Sequence, residues 1–189
     1  THYGKVTGKT PILAALATLS YEGRRRDFFF AELINALKMI EQGHISPEKL
    51  KGSWAGAMGQ CQFMPSSFLK YAVDGNADGR IDIWTALPDV FASIANYLKT
   101  VGWTADQTWG RQVRLPKSFT QIETDLTTTR PLRDWHILGV RTLDGAPLPQ
   151  VDQEASLVLP DGKTGRAFLV YSNYRVLMDW NRSTYFATA

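Results

Sequence analysis

This chain of 189 residues is poor in the groups on which several kinds of chemistry depend. It has one cysteine, Cys61, so no internal disulfide can form and cysteine usage says nothing about compartment. A cysteine nucleophile needs a histidine partner. His2, His44 and His136 are the whole supply, and none stands in a recognisable cysteine-protease signature, so Cys61 is expected to be a packed thiol. No apolar run approaches the roughly 18 residues of a membrane-spanning helix, and nothing resembles a signal peptide. Neither sign of charge dominates: 21 basic against 18 acidic residues give a formal +3, too little and too scattered to indicate nucleic acid. The one basic run, Arg24-Arg25-Arg26, precedes an apolar helix-like stretch and reads as a solvated helix start. Internal repeats and low-complexity segments are absent.

What is present is a globular composition, 44% hydrophobic and 12% aromatic, enough for one sizeable core or two small ones. Pro11 to Leu19 reads as a buried helix with proline near its start. Asp27 to Gln42 carries Phe28, Phe29, Ala31, Leu33, Ile34, Leu37 and Ile40 at near-helical spacing and stops at Gly43. Ser46-Pro47-Glu48-Lys49-Leu50 predicts a short helix, and Pro65 to Val73 and Asp89 to Val101 two more. After Trp103 the texture changes. Val113-Arg114-Leu115, Leu138-Gly139-Val140, Ser156 to Leu159 and Ala167 to Tyr171 are strand signals separated by proline and glycine turns, before Asn173 to Trp180 returns to helix, with Ser172 or Asn173 as its cap. The expected fold is α+β and mostly α: residues 1–104 a helical core, 105–168 a small β-rich subdomain, and 169–189 a segment returning to the core.

Residues 52 to 65 read Gly-Ser-Trp-Ala-Gly-Ala-Met-Gly-Gln-Cys-Gln-Phe-Met-Pro. Glycines at 52, 56 and 59 allow tight turns and close approach of another group. Ser53, Gln60 and Gln62 add uncharged hydrogen-bonding groups beside Trp54 and Phe63, the combination that holds a sugar: amides for hydroxyl and acetamido groups, aromatic faces for the ring. A turn between helices whose glutamines face water explains the same residues. The stretch Asp74-Gly75-Asn76-Ala77-Asp78-Gly79-Arg80-Ile81-Asp82 fits most of an EF-hand calcium loop, with oxygen side chains at positions one, three, five and nine. Gly79 takes the turn at six, the Arg80 carbonyl position seven, and Ile81 anchors the loop. Position twelve is Thr85, where a bidentate carboxylate is the rule. With so few carboxylates sodium suits the loop as well as calcium.

The pattern Gly52-Ser53-x-Ala55-Gly56-Ala57-Met58-Gly59-x-x-Gln62-Phe63-Met64-Pro65-Ser66-Ser67 resembles the signature of the MltB-type lytic murein transglycosylases, bacterial enzymes that cut peptidoglycan. Thr1 to Gly4, Leu13 to Ser20, the acidic loop, Ala95-Asn96-Tyr97 with Gly102-Trp103, and Trp180-Asn181-Arg182-Ser183 fall in the family's order, so the likeness covers nearly the whole chain. It implies a lysozyme-like helical core and a periplasmic enzyme, with any lipid anchor to the outer membrane outside this chain. Its partners would be peptidoglycan glycan strands, with cell-wall synthesis proteins as further candidates and no nucleic acid. The modest basic excess suits an acidic polymer such as a cell wall.

Carried over residue by residue, the resemblance gives Ser53 the task of orienting a catalytic glutamate, Gln62 and Tyr97 contact with the sugar, and Asn181 a reach into the same cleft from the C-terminal segment. Where the family often has tyrosine before that asparagine, this chain has Trp180. The metal ligands would be Asp74, Asn76, Asp78 and Arg80, completed by Asp89, with no organic cofactor. The glutamate itself is expected directly before Thr1. Glu22, Glu32, Glu41, Glu48, Glu123 and Glu154 have no motif to recommend them, and Glu32 and Glu41 read as solvated helix positions. In the implied reaction the single glutamate protonates the glycosidic oxygen and then takes the proton of the 6-hydroxyl of N-acetylmuramic acid, giving a 1,6-anhydro sugar. Two alternatives stay open: a lysozyme-type hydrolase and a non-catalytic peptidoglycan-binding module.

Overall fold

The computed structural model describes residues 4, 6–22, 24–119, 126–162 and 164–188, and Thr1 and Glu123 lie outside them. Helix, strand and turn alternate in two compact units, Thr1–Thr100 and Val101–Ala189.

The first unit begins with strand β1 (Thr10–Pro11), which leads directly into helix α1 (Ile12–Glu22). Helix α2 (Arg26–Glu41) packs on α1 and ends at Gln42, with Gly43 at φ 76° turning the chain away. The predicted apolar face of α2 needs correction. Its buried stripe is Glu32, Ala36 and Met39, spaced four and three apart, whereas Phe28, Ile34 and Leu37 of the predicted face are exposed. A small residue, a flexible one and a partnered carboxylate fill the face against the core, so counting large apolar side chains misplaced it. The predicted helix at Ser46–Leu50 is one turn, in which the Ser46 carbonyl accepts from both Lys49 and Leu50.

Strand β2 (Lys51–Gly52) pairs antiparallel with β1, placing Thr10 opposite Gly52 and Pro11 opposite Lys51. Two helices follow, α3 (Pro65–Tyr71) and α4 (Leu87–Thr100). Ile12, Leu16, Met39, Leu50, Met58, Phe68 and Ile83 are fully buried in this unit. Burying each such side chain contributes about 1.5–3 kcal/mol.

The second unit holds a five-stranded antiparallel sheet in the order β4-β6-β7-β3-β5, built from β3 (Gly110–Arg114), β4 (Arg130–Pro131), β5 (Arg141–Thr142), β6 (Glu154–Val158) and β7 (Ala167–Val170). Its central strands are covered on both faces. Val113, Ala155, Leu157, Ala167 and Leu169 pack with Trp135 of helix α5 (Leu132–Ile137). Val158, Phe168 and Val170 pack with Tyr174 and Ala187 of helices α6 (Ser172–Trp180) and α7 (Thr184–Ala187). Double burial explains why Ser156–Val158 and Ala167–Val170 read as apolar runs.

Two expectations fail in this unit. Leu138-Gly139-Val140 is the turn after α5, its N–H groups returning to Asp134, His136 and Trp135, and the strand starts one residue later. Asn173 is no helix cap: buried inside α6, it accepts from the Thr104 N–H and donates to the Thr104 and Gln107 carbonyls, pinning that loop.

Candidate active site

The glycine motif folds as two consecutive tight loops. Ser53 N–H donates to the Ala57 carbonyl at 2.8 Å, and Met58 and Phe63 exchange both backbone hydrogen bonds, at 2.8 and 3.1 Å. Gly59, at φ 62°, passes so close to Ile83 that a β-carbon would lie 2.6 Å from its carbonyl oxygen. No other residue fits there.

Ser53 is half-buried, and its hydroxyl oxygen accepts from the N–H groups of Ala57 at 3.0 Å and Ala55 at 3.3 Å. Its own proton has no partner among the described residues, which leaves the hydroxyl able to donate. Gln62 takes φ 54°, the left-handed region, without being glycine. Its amide nitrogen donates to the Gly59 carbonyl at 2.9 Å and the Thr7 carbonyl at 3.4 Å. Its amide oxygen has no partner among the described residues and stays free to accept. Ser53 and Gln62 thus close the two adjacent loops of one motif. Tyr97 is half-buried on α4, edge-on to Tyr71 at 4.6 Å and against Phe63 at 5.9 Å.

The other groups singled out as sugar-binding differ in their surroundings. The Gln60 side-chain amide donates to the Trp84 carbonyl at 3.0 Å and its backbone N–H to the Ile83 carbonyl, tying the motif to residues 83–84. Phe63 is buried in the core, whereas Trp54 is 73% exposed and free to meet a ligand. Asn181, in the second unit, is the exposed C-cap of α6, and its side-chain oxygen accepts from the Ser183 N–H at 3.0 Å.

In the acidic loop, Asp74 receives the N–H groups of Asp78 and Gly79, Asn76 receives that of Asp78, and Asp78 receives that of Arg80. Gly79 at φ 85° and Ala77 at φ 60° make the sharp turn. Hard oxygen side chains from Asp74, Asn76 and Asp78 share one loop with the Arg80 carbonyl, a donor set suited to calcium. Among the described residues no group of three or more His, Cys, Asp or Glu side chains is gathered as a metal cluster. Asp82 turns to the following residues instead, accepting from the N–H groups of Trp84 and Thr85 and from the Thr85 hydroxyl. Partial burial pushes its pKa up, but those hydrogen bonds and the Lys49 charge outweigh it and hold the carboxyl below its ordinary value. Asp89 is fully buried and spans the loop, taking the Gly75 N–H at 2.9 Å and the Asp82 N–H at 2.7 Å.

Between the 42–49 turn and this loop lies a cleft of about 1000 Å³, lined by His44, Lys49, Arg80, Asp82 and Trp84. Cys61 is buried, and burial raises its thiol pKa to about 12, as expected of a packed group. Glu32, expected in solvent, is 4% exposed and gives both carboxylate oxygens to Ser66. Its spacing from Ala36 and Met39 was the available signal.

Comparison with known proteins identifies the family. A family model described as the transglycosylase SLT domain matches residues 1–189, and the chain belongs to that family. Membrane-bound lytic murein transglycosylase B of Escherichia coli K12 is 39% identical over the whole of this chain, which spans 51% of that protein. Pseudomonas aeruginosa SltB3, solved in complex with NAG-NAM-pentapeptide, superposes with a TM-score of 0.92 at 46% identity, over 98% of this chain and 50% of its own. The Escherichia coli lytic transglycosylase Slt35, solved in complex with calcium, gives 0.83 at 36% identity, over all of this chain and 59% of its own. The chain therefore spans about half the length of these relatives. Among the described residues no helix is long and apolar enough to cross a membrane.

Proposed function

We propose that this chain carries the catalytic domain of a lytic transglycosylase that cleaves the β-1,4 bond between N-acetylmuramic acid and N-acetylglucosamine in peptidoglycan and leaves a 1,6-anhydro end. The carrying observation is the pairing of a full-length family match with a motif that leaves a Ser53 donor and a Gln62 acceptor unused by the fold. The complex of SltB3 with NAG-anhNAM-pentapeptide, at TM-score 0.93, supports the anhydro product.

In this reading the general acid is the glutamate that the family pattern places directly before Thr1. To start protonated near neutral pH it needs a raised pKa, for which burial in an apolar pocket is the ordinary means. The β1–β2 pairing and the close crossing of Gly8 over Gly52 hold residues 8–11 against the motif. Ser53 then donates to the carboxyl and fixes its direction. The acid protonates the glycosidic oxygen as the bond to C1 breaks, releasing the 4-hydroxyl of N-acetylglucosamine, with the muramic acetamido group assisting. As carboxylate it accepts the proton of the muramic 6-hydroxyl, whose oxygen closes onto C1. The acid is regenerated and no water is consumed. Gln62 accepts from the acetamido N–H and Tyr97 lines the cleft, and Asn181 is assigned as a further sugar contact on the family pattern. We assign the core to residues 1–104 and the working compartment to the periplasm, with glycan strands as substrate.

The acidic loop is proposed to hold calcium through Asp74, Asn76, Asp78 and the Arg80 carbonyl, with Asp89 completing or bracing the site. A bound ion would supply structural rigidity between α3 and α4 and no step of the reaction. The decisive experiment digests purified peptidoglycan with the full-length protein and determines the ends by mass spectrometry. Anhydro ends support the reading. Reducing ends would establish a hydrolase, and no cleavage with retained glycan binding would establish a binding module.

A further inference from the structure

Among the described residues two carboxylates are buried, Asp89 and Glu32, and Glu32 is the one on α2. Both of its oxygens go to one residue of the next layer: the Ser66 N–H donates to Oε2 at 2.9 Å and the Ser66 hydroxyl to Oε1 at 2.6 Å. The need for this pair lies in α3. Its N-cap is Met64, which offers no side-chain hydrogen bond, and Pro65 at the first helical position has no N–H to satisfy. Ser66 carries the first free donor of the helix, and α2 supplies the acceptor that Met64 lacks. A negative charge at that end also has the favourable sign.

Four residues before Ser66 stands Gln62 at φ 54°, a backbone state that a side chain other than glycine holds only when its surroundings enforce it. On one side the Met58–Phe63 pairing and the Gln62 bonds to Gly59 enforce it. On the other the chain runs through Met64 and Pro65 straight to the Glu32–Ser66 clamp. We infer that Glu32 is a positioning residue for Gln62: acting through Ser66, its carboxylate anchors the far end of the 62–66 stretch and keeps the Gln62 amide where a sugar can reach it. The inference rests on the reading of Gln62 as a sugar contact.

The test is a double-mutant cycle in the full-length protein, assayed where circular dichroism shows every variant folded. Glu32→Ala is expected to lower kcat/KM about tenfold or more. Glu32→Gln should retain activity within about threefold, because its amide oxygen still accepts the Ser66 N–H. The decisive result is that Glu32→Ala with Gln62→Ala cleaves no more slowly than Gln62→Ala alone, because the first change acts through the second residue. Ser66→Ala, which keeps the backbone bond, should show a smaller loss with the same non-additivity, and it carries the test if Glu32→Ala does not fold. Losses that multiply in the double variant, or native activity per folded molecule in Glu32→Ala, would overturn the inference and leave Gln62 in the sugar site. If Gln62→Ala alone is harmless, the sugar assignment of Gln62 falls, and this inference with it.

Discussion

Gly8 and Gly52 cross with no room for a β-carbon: one built on Gly8 would collide with the Gly52 carbonyl and lie 2.6 Å from the Ser53 nitrogen. Gly8 also holds φ 87°. The approach sets residue 8 directly against the motif that carries Ser53, so the geometry of the candidate site depends on a missing side chain.

Gly8→Ala should therefore destabilise the protein by more than about 2 kcal/mol, combining left-handed strain with backbone displacement. Gly43→Ala is the control, since Gly43 has φ 76° but nothing within 4 Å of its β-position. It should cost only about 1 kcal/mol. Urea denaturation midpoints distinguish the two, and equal costs would show that the crossing is looser than described.

Gln62 separates stability from activity. Gln62→Gly relieves the positive φ but loses the side-chain bonds to the Gly59 and Thr7 carbonyls, so stability should stay within about 1 kcal/mol of wild type while peptidoglycan cleavage falls. Ser53→Ala should lose about 1 kcal/mol of stability with the two accepted N–H bonds, and lower kcat more than it raises KM. Thermal melts and digestion kinetics on the same samples read both effects. Undiminished cleavage by Gln62→Gly would remove Gln62 from the sugar site.

Calcium should raise the melting temperature, by about 2.7 kcal/mol of added stability at a hundred times the dissociation constant. Chelator should reverse the effect and Asp78→Ala abolish it. Asp89→Asn should lower stability with or without calcium, because Asp89 holds the Gly75 and Asp82 N–H groups by itself. A melt indifferent to both calcium and chelator from micromolar to millimolar would leave the loop a polar turn.

Asp82 gives a pH signature. Its folded pKa is depressed, so its contribution is fully present above the unfolded value near 3.9 and is lost as pH falls through the lower folded value. The stability gap between wild type and Asp82→Asn should be constant from about pH 5 to 7 and close progressively below about pH 4. Denaturation across that range measures it. A gap independent of pH would mean that the Thr85 contacts do not favour the charged form.

Cys61 should resist thiol reagents in the folded protein at pH 8 and react only on unfolding, because a thiol with its pKa near 12 carries almost no thiolate there. Cleavage by Cys61→Ala should match wild type, since the buried thiol donates to the Val90 carbonyl and has no place in the proposed reaction.

Local chemistry alone determined a good part of this protein. Helical spacing and Gly43 located α2, Pro65 started α3, and the change of texture after Trp103 marked the unit that holds the sheet. The glycines of residues 52–59 announced close approach, and the family pattern was readable because its residues are consecutive in the chain. Tertiary structure decided what local pattern does not encode. Which face of α2 turns inward depended on the packing of α1 and α3 against it, which reversed the reading of Glu32 and exposed Ile34 and Leu37. Gln60 and Phe63 look like ligand-binding groups in sequence, but a carbonyl 24 residues away claims the first and the core, with the ring of Tyr97, claims the second. The same separation explains Ser66 and Glu32, 34 residues apart and joined by two hydrogen bonds. Propensity acts within a few residues, whereas the burial of a polar group is settled by whichever distant partner can satisfy it.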